Sequence, residues 1–147
     1  MIFDTILSWL GITTSSADVT TDNQIITTDG SKMLRCYVAG PLNADACGYI
    51  KNMHSMIKAA REVRGLGIAV YVPCNDFLEG LVDGSFEYTD YFMNSQPWLE
   101  VSDFIFVCVN WESSDGTKKE IELARSLGKS IFYSIEDLKY ALNHQSI

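Results

Sequence analysis

From residue 34 onward, short apolar runs alternate with stretches of helical spacing. Leu34–Ala39 is apolar and ends in Gly40-Pro41, which reads as a strand running into a turn. Ala46, Ile50, Met53, Ile57 and Ala60 then recur at intervals of four and three, the stripe of an amphipathic helix. Asn43 or Asp45 can cap its start, and Gly65 and Gly67 close it. Ile68–Pro73 is a second strand, and Tyr88–Ser102 is helical in pattern but interrupted by Pro97. Phe104–Val109 has no polar face, as expected of a strand covered on both sides. Thr117–Leu127 reads as a helix closed by Gly128, and Ser130–Tyr133 as a fourth strand. Ser134-Ile-Glu-Asp137 opens a last helix with a capping-box-like signal.

Strands that alternate with helices build parallel sheets with right-handed crossovers. The expected fold is therefore α/β: a flavodoxin-like, Rossmann-like parallel sheet of four to five strands, order 2-1-3-4, with helices on both faces. In that order the topological switch point lies between the first and third strands, and ligands bind at the carboxyl ends there. Gly40-Pro41-Leu42-Asn43 and the loop from Asn110 to Thr117 should face each other at that point. Residues 1–33 follow another pattern. Ile2, Phe3, Ile6, Leu7, Trp9 and Leu10 have helical spacing, and residues 13–31 are rich in Thr, Ser and Asp, as in a tether or loose hairpin. The chain thus divides into an extension over 1–33 and an α/β domain over 34–147.

Length and charge narrow the function. A chain of 147 residues is one domain by the usual prior and can bury a core without staples. Its 11 Lys and Arg against 19 Asp and Glu leave a net charge of −8, which argues against a groove for polymeric nucleic acid. A single nucleotide held by a few dipoles remains compatible with it. The longest apolar run, Phe104 to Val109, is six residues, and a membrane span takes about 20. Residues 1–10 lack a basic start and carry Asp4, so no signal peptide is expected. The four cysteines form no C-x-x-C pair, and Cys36 and Cys108 fall inside apolar strands as small hydrophobes. A reducing, cytoplasmic setting without a metal site is the expectation.

Candidate chemistry concentrates after the third strand. On a wheel of about 100° per residue, Leu123, Ala124 and Leu127 gather around Glu120, which places a carboxylate within the apolar face. Such a group is costly unless paired or used. Equally, Thr117-Lys-Lys-Glu120 fits a capping box in which Glu120 folds back on the Thr117 amide, and both readings stand. Ser113, Ser114 and Gly116 precede the helix, where free amides and the dipole favour an anion, although such residues are also ordinary loop formers. Tyr37 and Trp111 are either stacking surfaces for a base or core aromatics.

Cys36-Tyr-Val-Ala-Gly-Pro41, Asp103-Phe-Ile-Phe-Val-Cys-Val109, Trp111-Glu-Ser-Ser-Asp-Gly-Thr-Lys-Lys-Glu120 and Ala124-x-x-x-Gly-Lys129 together resemble the nucleoside 2-deoxyribosyltransferase superfamily. That group includes the deoxynucleoside 5′-monophosphate N-glycosidases and small phage and bacterial relatives. The resemblance covers residues 34–135 in the order of its elements. It implies an enzyme with Glu120 as nucleophile, no cofactor, a small-molecule nucleotide as substrate and a homodimer or higher homo-oligomer. It implies substrate-binding roles for Tyr37, Gly40, Pro41, Asn43, Trp111, Ser113, Ser114, Gly116 and Thr117. Ser114 stands where the monophosphate glycosidases carry a phosphate-binding serine and the nucleoside transferases an aspartate. The family aspartate that handles the proton of the leaving base is replaced here by Ser95, with Asp90 five residues earlier as a substitute. Ser95 can also be the cap of a helix restarted at Pro97. The resemblance thus points to cleavage or deoxyribosyl transfer at the N-glycosidic bond of a (deoxy)nucleoside 5′-monophosphate. The alternatives are a catalytically silent nucleotide-binding module and a TIR-like glycohydrolase of NAD-type substrates.

Overall fold

The computed structural model describes residues 33–144 and 147. The extension assigned to residues 1–33 lies, but for Met33, outside the described residues. Four strands, β1 (Arg35–Ala39), β2 (Ala69–Tyr71), β3 (Phe104–Val107) and β4 (Ser130–Phe132), form one sheet in the order β2-β1-β3-β4. Every pairing is parallel, with Tyr37 opposite Tyr71 and Ile105, and Phe106 opposite Phe132. This is the expected α/β architecture and strand order.

Helices α1 (Ala46–Arg64), α2 (Phe77–Asp83), α3 (Tyr88–Val101), α4 (Asp115–Ser126) and α5 (Ile135–Asn143) complete the domain. Side chains alternate across a strand, so β1 and β3 feed two cores. Cys36, Val38, Phe104 and Phe106 pack with Met56, Ala60 and Val63 of α1 and with Leu138 and Ala141 of α5. Tyr37, Ala39, Ile105 and Val107 pack on the other face with Leu99 of α3 and Ile121 and Ala124 of α4. Both faces are covered, which is why β3 tolerates no polar residue. At the switch point β1 and β3 approach so closely that a Cβ on Gly40 would lie 2.9 Å from Cys108 Cβ.

Local chemistry accounts for the element ends. Asp45, not Asn43, caps α1, accepting from the Gly48 amide at 2.7 Å. Ser134 caps α5 through the Asp137 amide at 3.1 Å. Several ends depart from the expected ones. Strand β2 stops at Tyr71, because Pro73 opens a 3₁₀ turn over Pro73–Asp76. Helix α2 was not expected, since none of its residues is buried and it shows no core stripe. Helix α3 runs unbroken through Pro97. The Met93 carbonyl that loses its donor there belongs to a residue 71% exposed, so water can serve it. Ser95 therefore does not cap a restarted helix; it sits mid-helix and buried, its hydroxyl donating to the Phe92 carbonyl at 3.3 Å. Among the described residues no helix is long and apolar enough to cross a membrane.

Candidate active site

A cavity of about 560 Å³ opens at the carboxyl edge of the sheet, beside the switch point. The β1 loop contributes Gly40 and Asn43, helix α3 contributes Ser95, and Ser113, Ser114, Gly116, Thr117 and Glu120 come from the start of α4. These expected residues are brought together although they span 81 positions of chain, from 40 to 120.

Helix α4 starts two residues earlier than its pattern suggests, and this takes Glu120 out of the cap. Ser114 is the cap: its Oγ accepts from the Thr117 amide at 3.2 Å and from Thr117 Oγ1 at 3.0 Å. With that amide satisfied, Glu120 forms no capping box. The buried arc of α4 runs through Thr117, Ile121 and Ala124, and Leu127 is 46% exposed, so Glu120 stands at the edge of the arc rather than its centre. Its Oε1 instead accepts a 2.6 Å hydrogen bond from the hydroxyl of Tyr37, a fully buried strand residue. Burial pushes the Glu120 carboxyl up to about 7, and the Tyr37 hydrogen bond pulls only partly the other way. Burial, then the nearby Glu120 charge, raises the Tyr37 hydroxyl well above its ordinary value, while a hydrogen bond with Ser95 opposes this. Ser95, Tyr37 and Glu120 are thus one connected set.

A second carboxylate reaches the cavity, and sequence reasoning missed it. Asp76 ends the 3₁₀ turn after β2, lines the cavity and is 8% exposed. Its Oδ2 accepts from the Tyr71 hydroxyl at 2.6 Å and from Asn94 Nδ2 at 2.9 Å. Tyr71 lies beside Tyr37 on the neighbouring strand, ring centroids 5.6 Å apart, and stacks on Trp98 at 5.3 Å. Adjacent strands therefore each present a tyrosine that holds a cavity carboxylate. The signal available in the sequence was position alone: Asp76 lies five residues past the end of a strand whose carboxyl end borders the site. Aromatic residues Tyr49, Phe77, Tyr88, Tyr91 and Phe92 also line the cavity and were not foreseen.

Four expected residues are not part of this wall, and one of them, Tyr37, lies behind it and meets it through Glu120. Asp90 is exposed and caps its own helix, its carboxylate accepting from the Glu87 amide at 2.7 Å, so it does not substitute for an aspartate at position 95. Trp111 turns away to meet Tyr133, centroids 5.6 Å apart, and packs against the core beneath α4. Pro41 only shapes the loop between Gly40 and Asn43. Among the described residues, no three His, Cys, Asp or Glu side chains converge as a metal set. No Lys or Arg lines the cavity.

A family model for a domain of unknown function, DUF4406, matches residues 34–133. No curated protein matches the sequence. Among solved structures, a 2-deoxyribosyltransferase from the psychrotolerant bacterium Bacillus psychrosaccharolyticus is similar, at 26% identity and a TM-score of 0.53. The match covers 66% of this chain and 69% of that one. The sheet order and its flanking helices are accordingly those of the nucleoside deoxyribosyltransferase-like superfamily.

Proposed function

This chain belongs to the DUF4406 family, a domain of unknown function, and from its cavity we propose that it cleaves or transfers at the N-glycosidic bond of a (deoxy)nucleoside 5′-monophosphate. One observation carries the reading: a cavity-lining glutamate that is neither a cap nor ion-paired, held by a buried tyrosine at 2.6 Å. Likeness to a 2-deoxyribosyltransferase supports chemistry at a glycosidic bond in general.

In this reading the Tyr37 hydrogen bond fixes Oε1 of Glu120 and leaves Oε2 to attack C1′. The centre that develops there is oxocarbenium-like, and a carboxylate in a poorly hydrated wall stabilises and captures it. Water or a second base then releases the sugar. The 5′-phosphate sits at the start of α4, where the Ser114 hydroxyl still has its own proton to donate. With no cation in the wall, the phosphate is held by dipoles and hydroxyls. The second reading, a nucleotide-binding module without turnover, is favoured by Ser95 alone, which stands where an aspartate would be expected.

Incubating the purified protein with each deoxynucleoside 5′-monophosphate and following free base by chromatography separates the two. Wild type should release base and Glu120→Gln should not. A clear thermal shift with no base from any substrate would establish the binder instead.

A further inference from the structure

We propose that Asp76 is the second catalytic carboxylate, giving a proton to the departing base and recovering it from water through its Oδ1. This rests on the glycosidic reading above. A purine or pyrimidine leaves poorly as an anion, so bond cleavage calls for a proton donor as well as a nucleophile. Ser95, which sits at the expected place, has no acidic proton to give and is tied to the Phe92 carbonyl and Tyr37. Asp90 is turned outward into its cap. Asp76 is the remaining buried carboxylate of the wall.

Its surroundings suit the task. Although Asp76 stands at the N-cap position of α2, its side chain makes no capping bond, so it is not spent on the helix. Both of its hydrogen bonds, from Tyr71 and Asn94, fall on Oδ2. Tyr71 and Asn94 thus fix the carboxyl through that one oxygen and leave Oδ1 as the oxygen that exchanges a proton with a ligand. Oδ1 has no donor among the described residues. A base nitrogen placed against Oδ1 is the atom to which the proton passes as the C1′–N bond breaks. Tyr49, Phe77 and Tyr91 wall the same end of the cavity and offer faces to a flat base.

The cycle balances. In the first half the Glu120 carboxylate bonds to C1′ as the C1′–N bond breaks. The electron pair goes to the base nitrogen, and the proton on Asp76 follows it. In the second half water attacks C1′, the ester bond to Glu120 breaks, and its electron pair returns to the glutamate. The proton of that water passes to Asp76, which restores both groups.

Leaving-group chemistry tests the assignment. Asp76→Asn keeps an oxygen for Tyr71 and Asn94 but cannot supply the proton. It should lose base release from ordinary nucleotides by about 10²–10⁴-fold. With 4-nitrophenyl 2-deoxyriboside 5′-phosphate, whose nitrophenolate leaves without a proton, its single-turnover burst should stay within a few-fold of wild type. Tyr71→Phe, which removes one hydrogen bond and keeps the ring stack, should show the same split in smaller measure and serves if Asp76→Asn does not fold. Equal losses on both leaving groups, or no loss on either, would overturn the role of Asp76 while leaving Glu120 in place. If wild type releases neither base nor nitrophenolate, the glycosidic reading itself falls, and this inference with it.

Discussion

In the folded chain the Glu120 carboxyl keeps its proton up to about pH 7, whereas an ordinary glutamate releases it at 4.5. The folded state therefore binds more protons between those values, and stability falls as pH rises from 4.5 through 7. At 1.36 kcal/mol per pKa unit the loss is on the order of 3 kcal/mol, and somewhat less because the cavity admits water. Glu120→Gln removes the titration and can still accept from Tyr37. It should match wild type in urea denaturation at pH 4, exceed it at pH 8, and be inactive at both. A variant no more stable than wild type at pH 8 would show that burial does not hold the proton. Ser114 gives a second residue-scale expectation. Aspartate is as good a cap as serine, so Ser114→Asp should keep the helix and place a negative charge where a phosphate would bind. Titration should then show a loss of at least tenfold for a 5′-monophosphate and little change for its nucleoside, since one repulsive contact is worth about 1.4 kcal/mol or more. Equal losses for both ligands would remove the phosphate from this end of the cavity.

Helix α3 brings Asn94 and Ser95 to the cavity and carries Pro97 within it. Pro97→Ala restores a donor for the Met93 carbonyl, and the gain should be roughly 2 kcal/mol after allowing for the more flexible unfolded chain. If the proline sets the aim of Asn94 and Ser95, base release falls as stability rises; a loss of stability would mean that the ring is packed rather than tolerated. The same helix shows what the chain discloses of its own structure. Strands β1 and β3 and helices α1, α4 and α5 bury periodic stripes, and their periods are visible without coordinates. Helix α2 buries nothing, so its Leu78, Leu81 and Val82 have no pattern to read. Ser114 was legible because its surroundings are local, within one turn of one helix. Glu120 was legible as a carboxylate on an apolar stripe, whereas its bond to Tyr37, 83 residues away, was not. Asp76 was not, because its partners come from β2 and α3, 5 and 18 residues away. Trp111 misled for the converse reason: it lies in the right loop, but a strand-end tyrosine 22 positions on draws it away.

At the scale of the whole molecule, the chain carries a net charge of −8, and the cavity wall holds Asp76, Asp115 and Glu120 and no Lys or Arg. In the proposed reading, a phosphate dianion that approaches such a protein is repelled at long range and attracted only at contact, by amides and hydroxyls at the start of α4. These two forces respond differently to salt. The screening length shrinks from about 30 Å at 0.01 M to about 8 Å at 0.15 M ionic strength, which removes the repulsion between protein and ligand. Short contacts inside the cavity are barely screened. The affinity for a 5′-monophosphate should therefore rise by a few-fold over that range, and that of the uncharged nucleoside should stay flat. Basic nucleic-acid sites behave the opposite way, because cations on the protein release counterions from the ligand. Isothermal titration at the two ionic strengths, with potassium chloride, reads the sign directly. A monophosphate affinity that falls with salt would mean that a cation does reach the phosphate. Lys118, now 3.3 Å from Asp115 at the mouth of the helix, is the residue placed to swing across.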